Sequence, residues 1–117
     1  MRIYIAGPYG RSRGLDWPEL DDNVDVASIA AAEEFDLGHT PIVPHLYHYV
    51  DQFVNILCGQ DAEEQWYKIG IELLGLCDAI LMVGDWVGSV GALKENQEAQ
   101  RLGLKIYTSI EQVPKEG

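Results

Sequence analysis

The stretch "AILMVGDWVGSVGALKENQEAQRLGLKIYTS", residues 79–109, contains a complete strand, helix and strand. Its first five residues are continuously apolar, which is typical of a strand covered on both faces. A glycine-rich turn follows, then a helical pattern from about Gly91, and "LKIYTS" (104–109) has the composition of another strand. Strands joined through a helix pair in parallel by a right-handed crossover. This stretch therefore predicts an α/β protein.

The rest of the chain continues the alternation of strands and helices. "RIYIAGPYG" (2–10) predicts a buried strand that leads into a loop, and "TPIVPH" (40–45) predicts a second short strand. Helices are predicted over about 22–37 and 61–76. Residues 45–60 are expected to form an irregular excursion with room for a helical turn.

This order of elements predicts one domain over residues 1–117. We expect a three-layer α/β/α sandwich with an open parallel sheet of four or five strands, of the flavodoxin or Rossmann-like kind. In the helix over 61–76, four side chains have the spacing of a core-facing stripe: Trp66, Ile69, Leu73 and Leu76.

The composition excludes several classes of partner. The formal net charge of −11 repels phosphate backbones and anionic lipid, so neither a nucleic acid polymer nor a membrane is expected as a partner. No signal-peptide pattern or long apolar span occurs, and a cytoplasmic location is expected. Cys58 and Cys77 lack metal-ligand spacing and are interpreted as buried thiols rather than a disulfide.

Two glycine-rich loops follow the first and third predicted strands, "GPYGRSRG" (7–14) and "GDWVGSVG" (84–91). They are predicted to meet at the carboxyl edge of the sheet, if these two strands are neighbours. Their glycines allow a ligand to approach backbone N–H groups. Arg11 and Arg13 are interpreted either as an anion site or as part of a solvated turn. Ser89 is either an anion contact or only a helix cap, and Trp86 either stacks on a base or packs in the ordinary way. The candidate binding residues are Gly7, Pro8, Tyr9, Gly10, Arg11, Arg13, Trp86, Ser89 and Gly91.

Glu95 is predicted to face the protein interior. In a helix from about Gly91, it falls on the stripe of Ala92, Ala99 and Leu102, which has the spacing of a core-facing surface. A buried carboxylate without partners costs several kcal/mol or becomes protonated. Either Glu95 has a function there, or it lies at the helix edge and reaches solvent.

Four segments resemble the nucleoside 2-deoxyribosyltransferase superfamily, in particular its short members related to the 2′-deoxynucleoside 5′-monophosphate N-glycosidases. They are "IYIAGP" (3–8), "CDAILMVGDW" (77–86), "SVGALKENQEA" (89–99) and "GLKIYTS" (103–109). The resemblance implies the parallel α/β fold already predicted. It also implies cleavage or transfer of the N-glycosidic bond of a nucleoside or nucleotide, without a metal or organic cofactor.

The resemblance also implies roles for individual residues. Glu95 would be the nucleophile that attacks the anomeric carbon, and Tyr4 would orient it. Ser89 would lie beside a 5′-phosphate, which makes a nucleoside 5′-monophosphate the first choice of substrate, with Arg11 or Arg13 completing the anion pocket. A homodimer or larger homo-oligomer is implied because members of the superfamily build their sites near subunit contacts.

The sequence departs from the superfamily at one important position. Members carry an aspartate eight residues before the aspartate of "CD", where it binds or protonates the leaving base, and here that residue is Gly70. Asp85, at the exit of the third predicted strand, is the candidate replacement. A non-catalytic nucleotide-binding or sensing module on the same fold is the alternative function.

His45 and His48 lie three residues apart, with Asp51 beyond them. Two histidines without a convincing third ligand are a weak metal signal, and no metal site is predicted. His45 follows the second predicted strand, so we expect it at the ligand edge of the sheet.

Overall fold

The computed structural model describes residues 1–9, 17–58 and 63–116, apart from the side chains of four residues: Trp17, Asn55, Cys58 and Glu63. Within these ranges, no helix is both long enough and apolar enough to cross a membrane.

The described residues form one parallel sheet of four strands. They are β1 (Arg2–Ala6), β2 (Thr40–Ile42), β3 (Ala79–Met82) and β4 (Lys105–Tyr107), and their order in the sheet is β2-β1-β3-β4. Every neighbouring pair is parallel. The predicted fold class is thus confirmed, and the chain changes direction across the sheet between β1 and β3, which are neighbours as expected.

Within the described ranges, four α-helices connect or cover the strands: α1 (Trp17–Asp36), α2 (Tyr47–Cys58), α3 (Glu63–Leu74) and α4 (Val90–Leu102). The alternation of side chains along β1 and β3 creates two cores. Ile3 and Ile5 face the core that includes Ala27 and Ala30 of α1. Tyr4 and Ala6, the alternate residues of β1, face the opposite core, which includes residues of α3 and α4. A strand with period two therefore places the Tyr4 side chain on the α4 side.

The first helix begins earlier than predicted. The expected start was about residue 22, whereas α1 begins at Trp17. Pro18 follows at a first-turn position that needs no hydrogen-bonded N–H, and Glu19 complements the positive end of the helix.

The prediction of an irregular segment over residues 45–60 was wrong. A short 3₁₀ turn (Pro44–Leu46) leads directly into helix α2. The buried side of this helix is polar, with His48 and Asp51 almost fully buried, while Phe53 and Ile56 are exposed. This burial is the reverse of that in an ordinary amphipathic helix, whose buried face is apolar. A search for a core-facing apolar stripe therefore does not predict α2.

The stripe predicted for the third helix is corrected in its last turn. α3 ends at Leu74, which is fully buried, and Leu76 lies beyond the helix with 62% of its surface exposed. In α4, Ala92 and Ala99 are buried as predicted, but Leu102 is 37% exposed because it is the last helical residue.

Glu34 of α1 is a fully buried acid. Among the described residues, neither of its carboxyl oxygens has a hydrogen-bond partner. Burial raises the pKa of Glu34 from near 4.5 to about 8. A neutral carboxylic acid avoids most of the cost of burying a charge, so Glu34 is protonated at neutral pH.

Replacing Glu34 by Met is expected to stabilise the protein at alkaline pH. Because the pKa is raised in the folded state, the stabilising contribution of the protonated acid is complete below about 4.5 and is lost as the pH rises through about 8. Above that pH the variant should gain about 1–3 kcal/mol in free energy of unfolding, measured by urea denaturation across the pH range. The exposed neighbour serves as control: Glu33→Met should leave the pH dependence of the wild type unchanged.

Candidate functional site: an acid-containing cleft

Glu95 and Tyr4 meet at the centre of the site. Ser89 caps α4 by accepting a hydrogen bond from the N–H of Ala92, at 3.2 Å, and this fixes the start of the helix. Glu95 then lies on the second turn, half-buried, and the hydroxyl of Tyr4 donates a hydrogen bond to its Oε2. The contact that the inward stripe and the resemblance predicted is therefore present, while the catalytic roles stay a prediction.

Burial controls the protonation of this pair. It raises the pKa of Glu95 from near 4.5 to about 7, and the hydrogen bond from Tyr4 opposes that rise. Burial and the neighbouring Glu95 charge raise the pKa of Tyr4 well above its usual value. Near neutral pH, Glu95 exchanges between its acid and carboxylate forms, while Tyr4 keeps its proton and remains a donor.

A cleft with a volume of about 160 Å³ opens above this pair. A single buried water needs about 10–15 Å³, so the cleft has room for an organic ligand. It lies at the carboxyl ends of β1 and β2, beneath α2 and α3. Its lining within the described residues is Tyr4, Gly7, Tyr9, Pro44, His45, Tyr47, His48, Asp51, Trp66, Tyr67, Gly70 and Glu95.

Aromatic rings and a second acid form one wall of the cleft. The rings of Tyr47 and Trp66 stack with centroids 5.0 Å apart and planes at 28°. The indole N–H of Trp66 donates to Oδ1 of Asp51 at 2.6 Å. Flat aromatic surfaces beside a buried hydrogen-bond acceptor suit a planar ligand with N–H groups, such as a nucleobase.

His45 forms part of the floor at the end of β2. Its Nε2 donates to the carbonyl of Gly7 at 3.1 Å. Burial lowers the pKa of His45, which favours the neutral ring. Nδ1 then carries a lone pair, and it is buried without a hydrogen-bond partner among the described residues. His45 is thus available to accept a hydrogen bond from a ligand.

Gly70 lets α3 approach the Tyr4 hydroxyl closely. A Cβ atom at this position would lie 2.7 Å from the Tyr4 hydroxyl oxygen and 3.8 Å from Oε2 of Glu95. The first distance is too short for a real contact. The glycine that departs from the superfamily pattern is therefore required by the packing of this site.

The structure brings some of the predicted residues together and leaves others outside the cleft. Five of them line it: Tyr4, Gly7, Tyr9, His45 and Glu95. The lining does not include Pro8, Asp85, Trp86, Ser89 or Gly91. Gly10, Arg11 and Arg13 lie outside the described residues.

The loop after β3 has structural contacts that explain its position. Trp86 is half-buried against the core between the sheet and α4, and Ser89 acts as a helix cap. Asp85 is exposed at the start of the turn. It is not among the described residues that line the cleft, and its role as the leaving-group acid stays a prediction.

Sequence analysis missed the part of the cleft that α2 and α3 supply: Tyr47, His48, Asp51, Trp66 and Tyr67. The spacing of His45, His48 and Asp51 at three-residue intervals was the available signal, because it is the spacing of a polar helix face. The described residues contain no group of three acids, histidines or cysteines placed to hold a metal ion.

Fold and cleft together define a doubly wound α/β protein with a carboxylate-containing site at the carboxyl edge of its sheet. Residues 1–109 match the model of a family described as a domain of unknown function (DUF7768), and the chain belongs to this family. No curated protein matches the chain.

A solved structure has a similar fold. It is a 2-deoxyribosyltransferase from the psychrotolerant bacterium Bacillus psychrosaccharolyticus, with 22% sequence identity and a TM-score of 0.60. The similarity covers 91% of this chain and 69% of that chain. At this identity the similarity establishes a common architecture.

Replacing Gly70 by Ala is expected to disturb the site and destabilise the protein. The added methyl group would collide with the Tyr4 hydroxyl, and overpacking of this kind costs about 1–3 kcal/mol in free energy of unfolding. Gly75→Ala is the matched control, because a Cβ there meets its nearest atom at an ordinary 3.4 Å. Equal urea midpoints for the two variants would contradict the close approach of α3 to Tyr4.

Proposed function

We propose that this protein cleaves or transfers the N-glycosidic bond of a nucleoside or nucleoside 5′-monophosphate, with Glu95 as the nucleophile. The observation that carries the proposal is the carboxyl group of Glu95, buried by its surroundings and hydrogen-bonded to Tyr4 in a cleft with aromatic walls. The common architecture with a 2-deoxyribosyltransferase supports the same class of reaction.

The chemistry follows from the environment of Glu95. A carboxylate held by one hydrogen bond and largely shielded from water is a stronger nucleophile than a solvated one. It would attack C1′ as the base departs, giving a glycosyl ester on Glu95. Water or a second base would then attack C1′ from the opposite face and release the carboxylate. Tyr4 would fix the orientation of Glu95 throughout.

The charges around the cleft bear on the substrate. The described lining contains two acids, Glu95 and Asp51, and no lysine or arginine. Carboxylates repel a phosphate at short range, so this part of the cleft suits the sugar and base. A 5′-phosphate would need the loop that contains Arg11 and Arg13. A comparison of deoxynucleosides with their monophosphates therefore tests whether the substrate carries a phosphate.

Gly70 favours a second candidate, a module that binds nucleosides or nucleotides without cleaving them. No acid can occupy that helix position while Tyr4 keeps its place. If no other group protonates the leaving base, binding would occur without bond cleavage. Base release separates the two functions.

Replacing Glu95 by Ala is expected to abolish release of free base from a panel of deoxynucleosides and deoxynucleoside monophosphates, followed by chromatography. Loss of a covalent nucleophile should reduce the rate by at least about 10³-fold. Glu98→Ala provides the matched control, since Glu98 lies on the same helix but pairs with Arg101 at the surface. Turnover retained in the Glu95 variant would exclude the mechanism, and binding without turnover in the wild type would favour the second candidate.

The pH dependence of turnover should report the raised pKa of Glu95. The nucleophile is the carboxylate, so kcat/KM is expected to rise as the pH increases through about 7. Tyr4→Phe removes a hydrogen bond that lowers this pKa, and the midpoint should move to higher pH. A wild-type profile that is flat across the neutral range would contradict the assignment.

A further inference from the structure

A chain of three side chains connects the cleft with the protein surface. The hydroxyl of Tyr9, in the loop after β1, lies 2.6 Å from Nδ1 of His48 on α2. Nε2 of the same ring contacts Oδ1 of Asp21 on α1, and the side-chain amide of Gln52 lies 3.1 Å from the same nitrogen. His48 is 2% exposed, whereas the Asp21 side chain is 57% exposed. The three residues come from three separate elements, and only Tyr9 and His48 of the three line the cleft.

Further contacts hold this chain in place. Asn23 of α1 donates from its side-chain amide to the carbonyl of Tyr9 at 2.8 Å. The rings of Tyr9 and His48 meet edge to face with centroids 5.5 Å apart. A carboxylate on one nitrogen of an imidazole and a hydroxyl on the other is an arrangement that moves protons, because the acid fixes the ring and stabilises its charged form.

We propose that Tyr9 is the general acid and base of the site, that His48 supplies and accepts its proton, and that Asp21 is a positioning residue that holds the His48 ring. This inference rests on the proposed cleavage of a glycosidic bond. It assigns the protonation of the leaving base to Tyr9 in the loop after β1, because Gly70 has no side chain that could supply the proton.

The steps balance in both half-reactions. As the Glu95 carboxylate bonds to C1′, the C1′–N bond breaks and its electron pair remains on the base. The Tyr9 hydroxyl proton passes to the base, and the Nδ1 proton of protonated His48 passes to the Tyr9 oxygen. Water then attacks C1′, and Glu95 leaves as a carboxylate. The proton of that water passes to Tyr9, whose own proton returns to His48, so the resting state is restored.

Four other groups that line the cleft are less suited to this task. Glu95 is engaged as the nucleophile. His45 donates its Nε2 proton to the carbonyl of Gly7, and burial lowers its pKa, so Nδ1 has no proton to give. Asp51 accepts a hydrogen bond from Trp66, which suits an acceptor for base N–H groups. The hydroxyl of Tyr4 is directed to Glu95.

The test compares leaving groups that do and do not need a proton. Tyr9→Phe removes only the hydroxyl, and Asp21→Asn changes an exposed residue, so both variants avoid removing a buried side chain. Each is assayed with 2′-deoxynucleosides and with p-nitrophenyl 2-deoxyriboside, whose phenolate departs without protonation. Tyr49→Phe is the matched control, because Tyr49 also contacts the His48 ring, with centroids 5.1 Å apart, but is 54% exposed.

Tyr9→Phe should lower kcat/KM for deoxynucleosides by about 100-fold, in the range of general acid catalysis, because kcat/KM reports only the half-reaction in which the base departs. Asp21→Asn should lower it by about tenfold, since it acts through His48. Both should change kcat/KM for the nitrophenyl substrate by less than about threefold, because its leaving group departs without a proton, and Tyr49→Phe should behave as the wild type with each substrate.

Two results would overturn the relay and can be told apart. If the wild type cleaves both substrates and Glu95→Ala cleaves neither, the proposed function stands. The relay is then wrong if Tyr9→Phe lowers kcat/KM by the same factor for both substrates, or lowers it for neither. If the wild type cleaves neither substrate, the proposed function fails and the relay fails with it.

Discussion

The hydrogen bond between Tyr4 and Glu95 depends on three independent features of the fold. The alternation of side chains along β1 directs Tyr4 to the face of the sheet that α4 covers. The cap at Ser89 sets the turn of α4 on which Glu95 lies. Gly70 leaves the space in which the two side chains meet. A shift of one residue in β1 would direct Tyr4 to the opposite face of the sheet. The carboxyl group of Glu95 would then remain buried without a hydrogen-bond donor.

Much of the architecture could be predicted because its signals are local. The apolar run of β3 indicates a strand covered on both faces, and the glycine that follows α4 indicates its end. Glu95 could be found in the same way, as one acid on the apolar stripe of a helix. These features depend on the composition and period of a single segment, which a sequence displays directly.

The rest of the cleft depends on contacts between segments that are distant in the sequence. Helix α2 buries His48 and Asp51 because they have partners on α1, α3 and the loop after β1. Without those partners in view, two polar residues within an apolar segment suggest an irregular loop. The loop after β3 allows two interpretations from its sequence. Its glycines, Trp86 and Ser89 have the composition of a ligand loop, but packing against the core and helix capping account for the described contacts of Trp86 and Ser89.

The contact between Gly70 and Tyr4 couples two positions that are far apart in the sequence. A larger residue at position 70 avoids the collision only when the tyrosine hydroxyl moves or is removed, and either change disturbs the hydrogen bond to Glu95. A protein with both a tyrosine on the first strand and an acid at this helix position needs a wider separation between the helical layer and the sheet. Interlayer spacing therefore decides which acid–base arrangement such a sandwich can accommodate, and single substitutions cannot convert one arrangement into the other.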